Sequence, residues 1–167
     1  MMNLVGKLVW QREYDTGVTE IDLQHRTLFR MFNKVNLELR DDSGRDVWEQ
    51  AIHDLLGYAL FHFWCEEDLA TRYGYDQEKH ADAIEHFNEH LAFAEAMNDM
   101  RSRLRTGERI SKAALIDFLR DWLSRHVTDS DQWLLAFILD KQRQAGLHAI
   151  ESAKRSAVHS SGECTAA

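Results

Sequence analysis

The sequence predicts an all-α protein, folded as an antiparallel up-down four-helix bundle with an extended N-terminal arm. Three observations lead to this prediction. The 167-residue chain contains no proline, the residue that most often interrupts helices. Apolar residues recur at helical spacing in four long stretches, and no useful length of sequence shows strand-like alternation. The connections between these stretches are short, which favours antiparallel neighbours.

The first three helices can be delimited from the sequence. Residues 1–18 are expected to form the arm, and the first helix is expected to begin near Thr19. The run Asp-Asp-Ser-Gly at 41–44 predicts a turn before the second helix. The helical pattern then pauses at 73–76, and the third helix is expected to end at Gly107.

The fourth helix is expected to start near Ser111 and to continue through Leu139. The bundle domain is therefore assigned to residues 19–144. Residues 145–167 are mostly small and polar, and we expect them to form a frayed or disordered tail. No internal repeat or second domain is indicated.

Bulk composition excludes several classes of function. The formal net charge is −8 and no run of Lys or Arg occurs, which argues against a nucleic-acid-binding surface. No apolar stretch is long enough to span a membrane, and no signal peptide is expected. The two cysteines, Cys65 and Cys164, lie in unlike contexts, so a disulfide is not expected and a cytoplasmic location is predicted.

Histidine and carboxylate residues interrupt the apolar stripe of every predicted helix. The interrupting residues are His25 on the first helix, His62 and Glu66 on the second, His86 and His90 on the third, and His126 on the fourth. Within each pair the spacing of four residues places both side chains on one helix face.

These interruptions predict a metal site. A single inward-facing histidine is more often a core residue satisfied by a hydrogen bond, but polar groups on all four inner faces need a common partner. A metal ion supplies one. Imidazole and carboxylate without thiolate suit iron, manganese, zinc or copper rather than calcium or magnesium. The number of candidate ligands is larger than one ion needs and suits two.

Four segments resemble, in the same order, the motifs of the hemerythrin family. They are the W…GV..IDLQH pattern in residues 10–25, HFWCEE at 62–67, HFNEHLAF at 86–93 and WLSRHVTDSD at 122–131. The resemblance covers residues 10–135, which leaves only the tail outside it.

The resemblance implies a non-haem centre of two iron ions with an oxo or hydroxo bridge. It implies that His86, His90 and His126 hold one iron, that His25 and His62 hold the other, and that Glu66 and Asp131 bridge them. The iron with two histidines would keep an open position for dioxygen. Candidate walls of that oxygen pocket are Trp122, Leu123, Phe29, Phe63 and Phe93.

The function that follows is reversible dioxygen binding, for storage, delivery or sensing, rather than enzymatic turnover. Two alternatives stay open at this point. One is a di-iron enzyme with peroxidase or nitric-oxide-handling activity. The other is an iron or redox sensor that acts through an unidentified protein partner.

The chain departs from the family pattern in the longer stretch between Glu66 and His86, which makes His80 a competing ligand. We expect His80 to lie outside the site, because Ile84 stands where a second ligand would be needed. His126 and Asp131 are five residues apart, about 140° on a regular helix, so Asp129 would face the same side better. If Asp131 is the ligand, the helix should widen between the two, as in a π-like turn.

Overall fold

The structure, a computed structural model, describes the backbone of residues 6–161 and the side chains of residues 6–151. Within this part, the chain forms six α-helices. The helices are α1 (Thr19–Glu38), α2 (Arg45–Tyr73), α3 (Tyr75–Glu78), α4 (His80–Arg105), α5 (Lys112–Thr128) and α6 (Ser130–Ser161). A single 3-10 turn, Arg12–Tyr14, precedes α1. No strand occurs within residues 6–161, so the all-α prediction is confirmed.

The long helices form an up-down bundle in which α5 and α6 together make the fourth member. Helix α2 packs against α1 and α4, α5 packs against α1, and α6 packs against α2 and α4. At one end, the Lys112 N–H donates to Asp41 at 2.6 Å, and Arg105 lies 3.9 Å from Glu49. The end of α1, the start of α2, the end of α4 and the start of α5 therefore meet there, as antiparallel neighbours must.

The sequence predicted one continuous fourth helix. In the structure this helix is broken at Asp129. This residue stays in the right-handed helical region, but its φ of −113° and ψ of −78° are distorted from the usual helical values, and it separates α5 from α6. The expected π-like turn between His126 and Asp131 does not occur; a one-residue break at Asp129 interrupts the helix instead.

The long connection between α2 and α4 folds into a turn and a short helix. Helix α2 ends at Gly74, whose φ of +75° is left-handed and suits glycine. Helix α3 takes up the extra residues, and α4 begins at His80, which is exposed to solvent. The insertion therefore lengthens the connection without entering the bundle.

The arm lies along α1 and is fixed by side-chain hydrogen bonds. Asn33 accepts from the Leu8 N–H at 2.9 Å and donates to the Leu8 carbonyl at 2.7 Å. Asp22 accepts from the backbone N–H groups of Thr16 and Gly17 at 2.8 and 3.3 Å. These bonds hold the start of α1 at the residue that the sequence predicted.

The expectation of a frayed or disordered tail from residue 145 is wrong for residues 145–161, where α6 continues. The side chains of residues 142–150 are exposed. Up to residue 151, the polar composition therefore reflects a helix that faces solvent. Residues 162–167 lie outside the described part of the chain.

Two apolar clusters fill the bundle and enclose a polar layer. The larger cluster is built on side chains from α1, α2, α4 and α5, including Phe32, Ile52, Met97 and Leu115, all 0 or 1% exposed. The smaller one surrounds Ile21, Tyr75, Leu134 and Ile138. No described helix is long and apolar enough to cross a membrane.

Candidate metal centre

Seven polar side chains from four helices of the bundle meet between the two apolar clusters. They are His25 on α1, His62 and Glu66 on α2, His86 and His90 on α4, and, on the broken fourth helix, His126 of α5 and Asp131 of α6. None is more than 3% exposed. The structure thus brings together every residue that the sequence analysis expected to bind metal.

The seven side chains divide into two groups that could each hold an ion. One contains Glu66, His86, His90, His126 and Asp131, and the other contains His25, His62, Glu66 and Asp131. In each group the potential ligand atoms lie within 4.8 Å of one another. We refer to them as the three-histidine group and the two-histidine group.

The two oxygens of Asp131 face different groups. Its Oδ1 lies 3.1 Å from His86 Nε2 and 3.0 Å from His126 Nε2. Its Oδ2 lies 3.1 Å from His25 Nε2. One carboxylate therefore offers one oxygen to each group, which is the arrangement a bridging ligand needs.

Glu66 repeats this arrangement. Its Oε2 lies 3.3 Å from His90 Nε2 and 3.6 Å from His86 Nε2. Its Oε1 lies 3.5 Å from His62 Nε2 and 3.7 Å from His25 Nε2. Both carboxylates thus lie between the groups, with an oxygen on each side.

The outer ring nitrogens are held by a second set of side chains. In the three-histidine group, His90 Nδ1 lies 3.0 Å from Glu67 and His126 Nδ1 lies 2.6 Å from Glu89. In the two-histidine group, His62 Nδ1 lies 2.9 Å from the neutral Gln24. Carboxylate partners therefore support only the three-histidine group, and such partners raise the basicity of a ligand.

These contacts fix which nitrogen faces the centre. A carboxylate or amide oxygen accepts, so each of these Nδ1 atoms donates and the Nε2 of the neutral ring carries a lone pair. His90 Nε2 and His126 Nε2 then face each other at 3.0 Å, with a carboxylate oxygen beside them. Acceptors so placed repel one another unless a cation lies among them.

Buried polar atoms without partners give a second test of whether the cluster suits metal ions. The buried atoms without a well-oriented hydrogen bond among the described residues include His25 Nε2, His62 Nε2, both oxygens of Glu66 and Asp131 Oδ2. Leaving buried polar groups unpaired is costly. All five atoms point into the same small space, so the donor set fits metal ions.

The protonation of the metal-free cluster reflects burial and charge. Burial lowers the pKa of His62 to about 4. Burial alone would also lower the pKa of His86, but hydrogen bonds to Asp131 and Glu66 outweigh it and raise the pKa to about 10. Burial alone would raise the pKa of Glu66, but the surrounding imidazoles hold it well below its usual range. The carboxylates are therefore ionised at neutral pH.

The structure distinguishes between the residues that the sequence offered as alternative metal ligands. Asp131 is 0% exposed within the cluster, whereas Asp129 is exposed at the helix break. His80 lies outside the cluster, with its Nδ1 3.1 Å from the Asp76 carbonyl oxygen. His53 is likewise exposed on α2.

The expected oxygen-pocket residues do not all lie in one place. The rings of Phe63 and His90 stack with centroids 4.0 Å apart, and Trp122 stacks on His126 at 4.2 Å. Phe93 lies 4.4 Å from Trp122, on the same side. These three rings therefore cover the three-histidine group.

The other two pocket candidates, Phe29 and Leu123, belong to the larger apolar cluster. Phe29 packs against Trp10 and Tyr14, with centroids 5.2 and 5.0 Å away. Trp10 in turn lies 6.3 Å from His25, so this aromatic group is on the two-histidine side. Leu123 is buried on α5 within the larger cluster.

Sequence reasoning missed Glu67 and Glu89 as partners of the ligand histidines. Both are partly exposed, with 43 and 37% of their side chains accessible. On a helical pattern alone they look like ordinary surface carboxylates. Their positions next to Glu66 and His90 in the chain were the available signal.

Comparisons with known proteins agree with this architecture. A family model described as the hemerythrin HHE cation binding domain matches residues 16–138. The bacteriohemerythrin of Stenotrophomonas maltophilia is 30% identical over 125 residues, 75% of this chain and 77% of that protein. The bacteriohemerythrin of Methylococcus capsulatus is 29% identical over 120 residues, 72% of this chain and 87% of that protein.

A solved structure gives the same result for the fold. The crystal structure of a wild-type hemerythrin superposes with a TM-score of 0.69 at 27% sequence identity, covering 78% of this chain and 97% of that one. The matched family segment contains all seven clustered side chains. The chain belongs to the hemerythrin HHE cation-binding family.

Proposed function

We propose that this protein binds dioxygen reversibly at a centre of two iron ions, and that it does so in the cytoplasm for storage, delivery or sensing. The observation that carries the proposal is the division of each carboxylate between two ligand groups. Glu66 and Asp131 each direct one oxygen to the three-histidine group and one to the two-histidine group. Two ions, not one, make use of that geometry.

The proposal gives each ligand residue a role. His86, His90 and His126 would hold one iron and His25 and His62 the other, with Glu66 and Asp131 bridging them. The two-histidine group offers four ligand residues, against five in the other group, and would therefore leave room for a small molecule. When bound, two ferrous ions supply the electrons that dioxygen accepts.

The surroundings suit binding better than turnover. The ligands lie between apolar clusters that limit access of bulk water. On the two-histidine side, the neutral Gln24 lies 2.9 Å from His62 Nδ1, and the ring of Trp10 lies 6.3 Å from that of His25.

The direct test uses the reduced, iron-loaded protein. Dioxygen is added in a stopped-flow spectrometer, then removed by argon, and the visible spectrum is followed over repeated cycles. Reversible binding predicts a new absorption that disappears on deoxygenation and returns in the next cycle. Immediate irreversible oxidation, or steady consumption of oxygen in the presence of a reductant, would reject carriage and favour an enzyme.

A further inference from the structure

The proposed irons lie in a fully buried cluster, so any ion must pass between helices to reach its ligands. Surface cavities lined by described residues reach three ligand histidines of the three-histidine group. One reaches His126, one reaches His86, and one reaches His90. Their linings differ in charge, and this difference indicates which of them suits a cation.

The cavity over His90 is mainly apolar. It is lined by Leu60, Trp64, Phe87 and Leu91, with Glu67 as its acidic residue. The cavity over His126 has Glu89 and Asp129 in its wall, but Arg125 lines it too. Neither offers a cation a strongly acidic surface free of opposing charge.

The cavity over His86 has four acidic residues in its wall, together with Tyr75, Ser130 and Trp133. It measures about 280 Å³ and lies between α4 and the junction of α5 with α6. Its anionic lining consists of four carboxylates, Asp82, Glu85, Glu89 and Asp129. His86 also lines it and carries the opposing charge in the metal-free protein, where its pKa is raised to about 10. No Lys or Arg is among its lining residues. We call this cavity the acidic vestibule.

Most of the charge in the acidic vestibule is uncompensated. Asp82, Glu85 and Asp129 form no ion pair with any residue that the structure describes. Elsewhere on the surface, many carboxylates do pair, as Asp117 does with Arg120 at 3.0 Å. A cleft lined by one sign of charge between low-dielectric walls concentrates ions of the opposite sign.

The inner end of the acidic vestibule is formed by His86, a proposed ligand whose second ring nitrogen has no hydrogen-bond partner among the described residues. His86 is 2% exposed, its Nε2 faces Asp131 in the cluster, and it also lines the vestibule. Its Nδ1, on the opposite edge of the ring from the cluster, has no hydrogen-bond partner among the described residues. The other two histidines of this group have a carboxylate at that atom. His86 is therefore the least anchored of the three.

We propose that the acidic vestibule is the site where a divalent cation, Fe²⁺ in the proposed function, is captured before it passes His86 into the cluster. The inference rests on the proposed di-iron centre. Asp82, Glu85 and Asp129 attract the hydrated ion electrostatically. Rotation of His86, which no carboxylate holds from outside, opens the way between α4 and the break at Asp129.

The test measures the rate of metal uptake, not oxygen binding. Metal-free protein is mixed anaerobically with Fe²⁺, and in parallel with Co²⁺, whose absorption reports ligation directly. The double variant Asp82→Asn/Glu85→Gln should take up either ion roughly tenfold more slowly than wild type at low ionic strength. Added salt should slow wild type and narrow the difference, because it screens the vestibule charges.

A matched control changes charge by the same amount in another cavity. Asp54 and Glu38 line a groove between α1 and α2, and Glu38 follows His25 by 13 residues, roughly 20 Å along α1. Asp54→Asn/Glu38→Gln should load at the wild-type rate. The charge-preserving variant Asp82→Glu/Glu85→Asp should also load at nearly that rate.

The outcomes separate this inference from the proposed function. If wild type fails to take up two metal ions per chain, the di-iron proposal fails. If it does take up two but the neutral vestibule variant loads as fast as wild type, the vestibule proposal fails. The vestibule proposal also fails if the control slows equally, or if the charge-preserving variant is as slow as the neutral one. Equal final metal content in all variants is expected.

Discussion

At the scale of single residues, Glu66 and Glu67 are neighbours in sequence but have different surroundings. Glu66 is 0% exposed and its two oxygens face four histidines, whereas 43% of the Glu67 side chain is accessible. The surroundings of Glu66 allow its carboxylate to bridge two ions. Those of Glu67 allow its carboxylate to orient one ligand histidine, His90, from outside.

Replacing Glu66 with alanine should abolish the bridged centre. We expect iron content to fall from two per chain, one for each ligand group, to less than one. The gain in melting temperature on iron loading should be lost, because metal binding is coupled to folding. Metal analysis and thermal melts with and without iron measure both. Asp68→Ala, a change outside both ligand groups on the same helix, is the control, and unchanged iron content in Glu66→Ala would reject the bridge.

Asp131 and Asp129 provide a second matched pair. Asp131→Asn should lose iron, since Oδ1 and Oδ2 each face a different ligand group. Asp129→Asn should retain two irons per chain at equilibrium, because Asp129 is exposed and outside both ligand groups. Metal analysis after dialysis distinguishes them. Loss of iron in Asp129→Asn alone would show that the ligand has been misassigned.

Glu89 affects the centre through His126. It accepts from His126 Nδ1 at 2.6 Å and from Ser130 Oγ at 2.7 Å. Glu89→Ala should weaken metal binding about 10–100-fold, since second-layer partners of ligand histidines contribute that much. Competition with a chelator, using Co²⁺ or Zn²⁺, measures the affinity. Glu95→Ala, on the same helix but outside the cluster, should leave it unchanged; equal affinity in both variants would contradict the role of Glu89.

At the scale of elements, the break between α5 and α6 resolves the spacing problem in the sequence. A regular helix would turn Asp131 about 140° away from His126. The distorted backbone at Asp129 interrupts the regular helix between them, and both side chains reach the cluster. The sequence indicated that the helix had to depart from regularity but not the form of the departure, because nothing in Thr128-Asp129-Ser130 excludes a regular helix.

The described side chains of α6 beyond Gln144 are exposed to solvent, so we expect the end of this helix to contribute little to stability. Residues 145–150 are exposed, whereas Leu135 on the same helix is 0% exposed. Removing residues 145–167 should change the free energy of unfolding by no more than about 0.5 kcal/mol. Leu135→Ala should cost about 2–5 kcal/mol. Urea denaturation of the metal-free proteins measures both, and a large loss on truncation would mean that the extension packs against the bundle.

At the scale of the whole molecule, the fold and the ligand set could be predicted because they share one signal. Ligands such as His62 and Glu66 interrupt apolar stripes at helical spacing, so the pattern that predicts the bundle also marks its polar layer. Half-exposed groups such as Glu89 escaped prediction because their role depends on contacts between helices. The helical extension of α6 was not predicted, because an exposed helix and a disordered tail can have the same polar composition.

The surroundings of the centre differ between its two sides. Glu67, Glu89 and the acidic vestibule lie on the three-histidine side, whereas Gln24 and the aromatic group around Trp10 lie on the two-histidine side. This asymmetry follows from which helix contributes each ligand, and it is a property of the assembled molecule rather than of any one motif.

The most direct test of the central claim is anomalous diffraction at the iron edge from crystals of the iron-loaded protein. Two anomalous peaks per chain are predicted. One should lie among His86, His90 and His126, the other beside His25 and His62, with Glu66 and Asp131 touching both. A single peak, or a second peak that lacks contact with either carboxylate, would contradict the bridged di-iron centre.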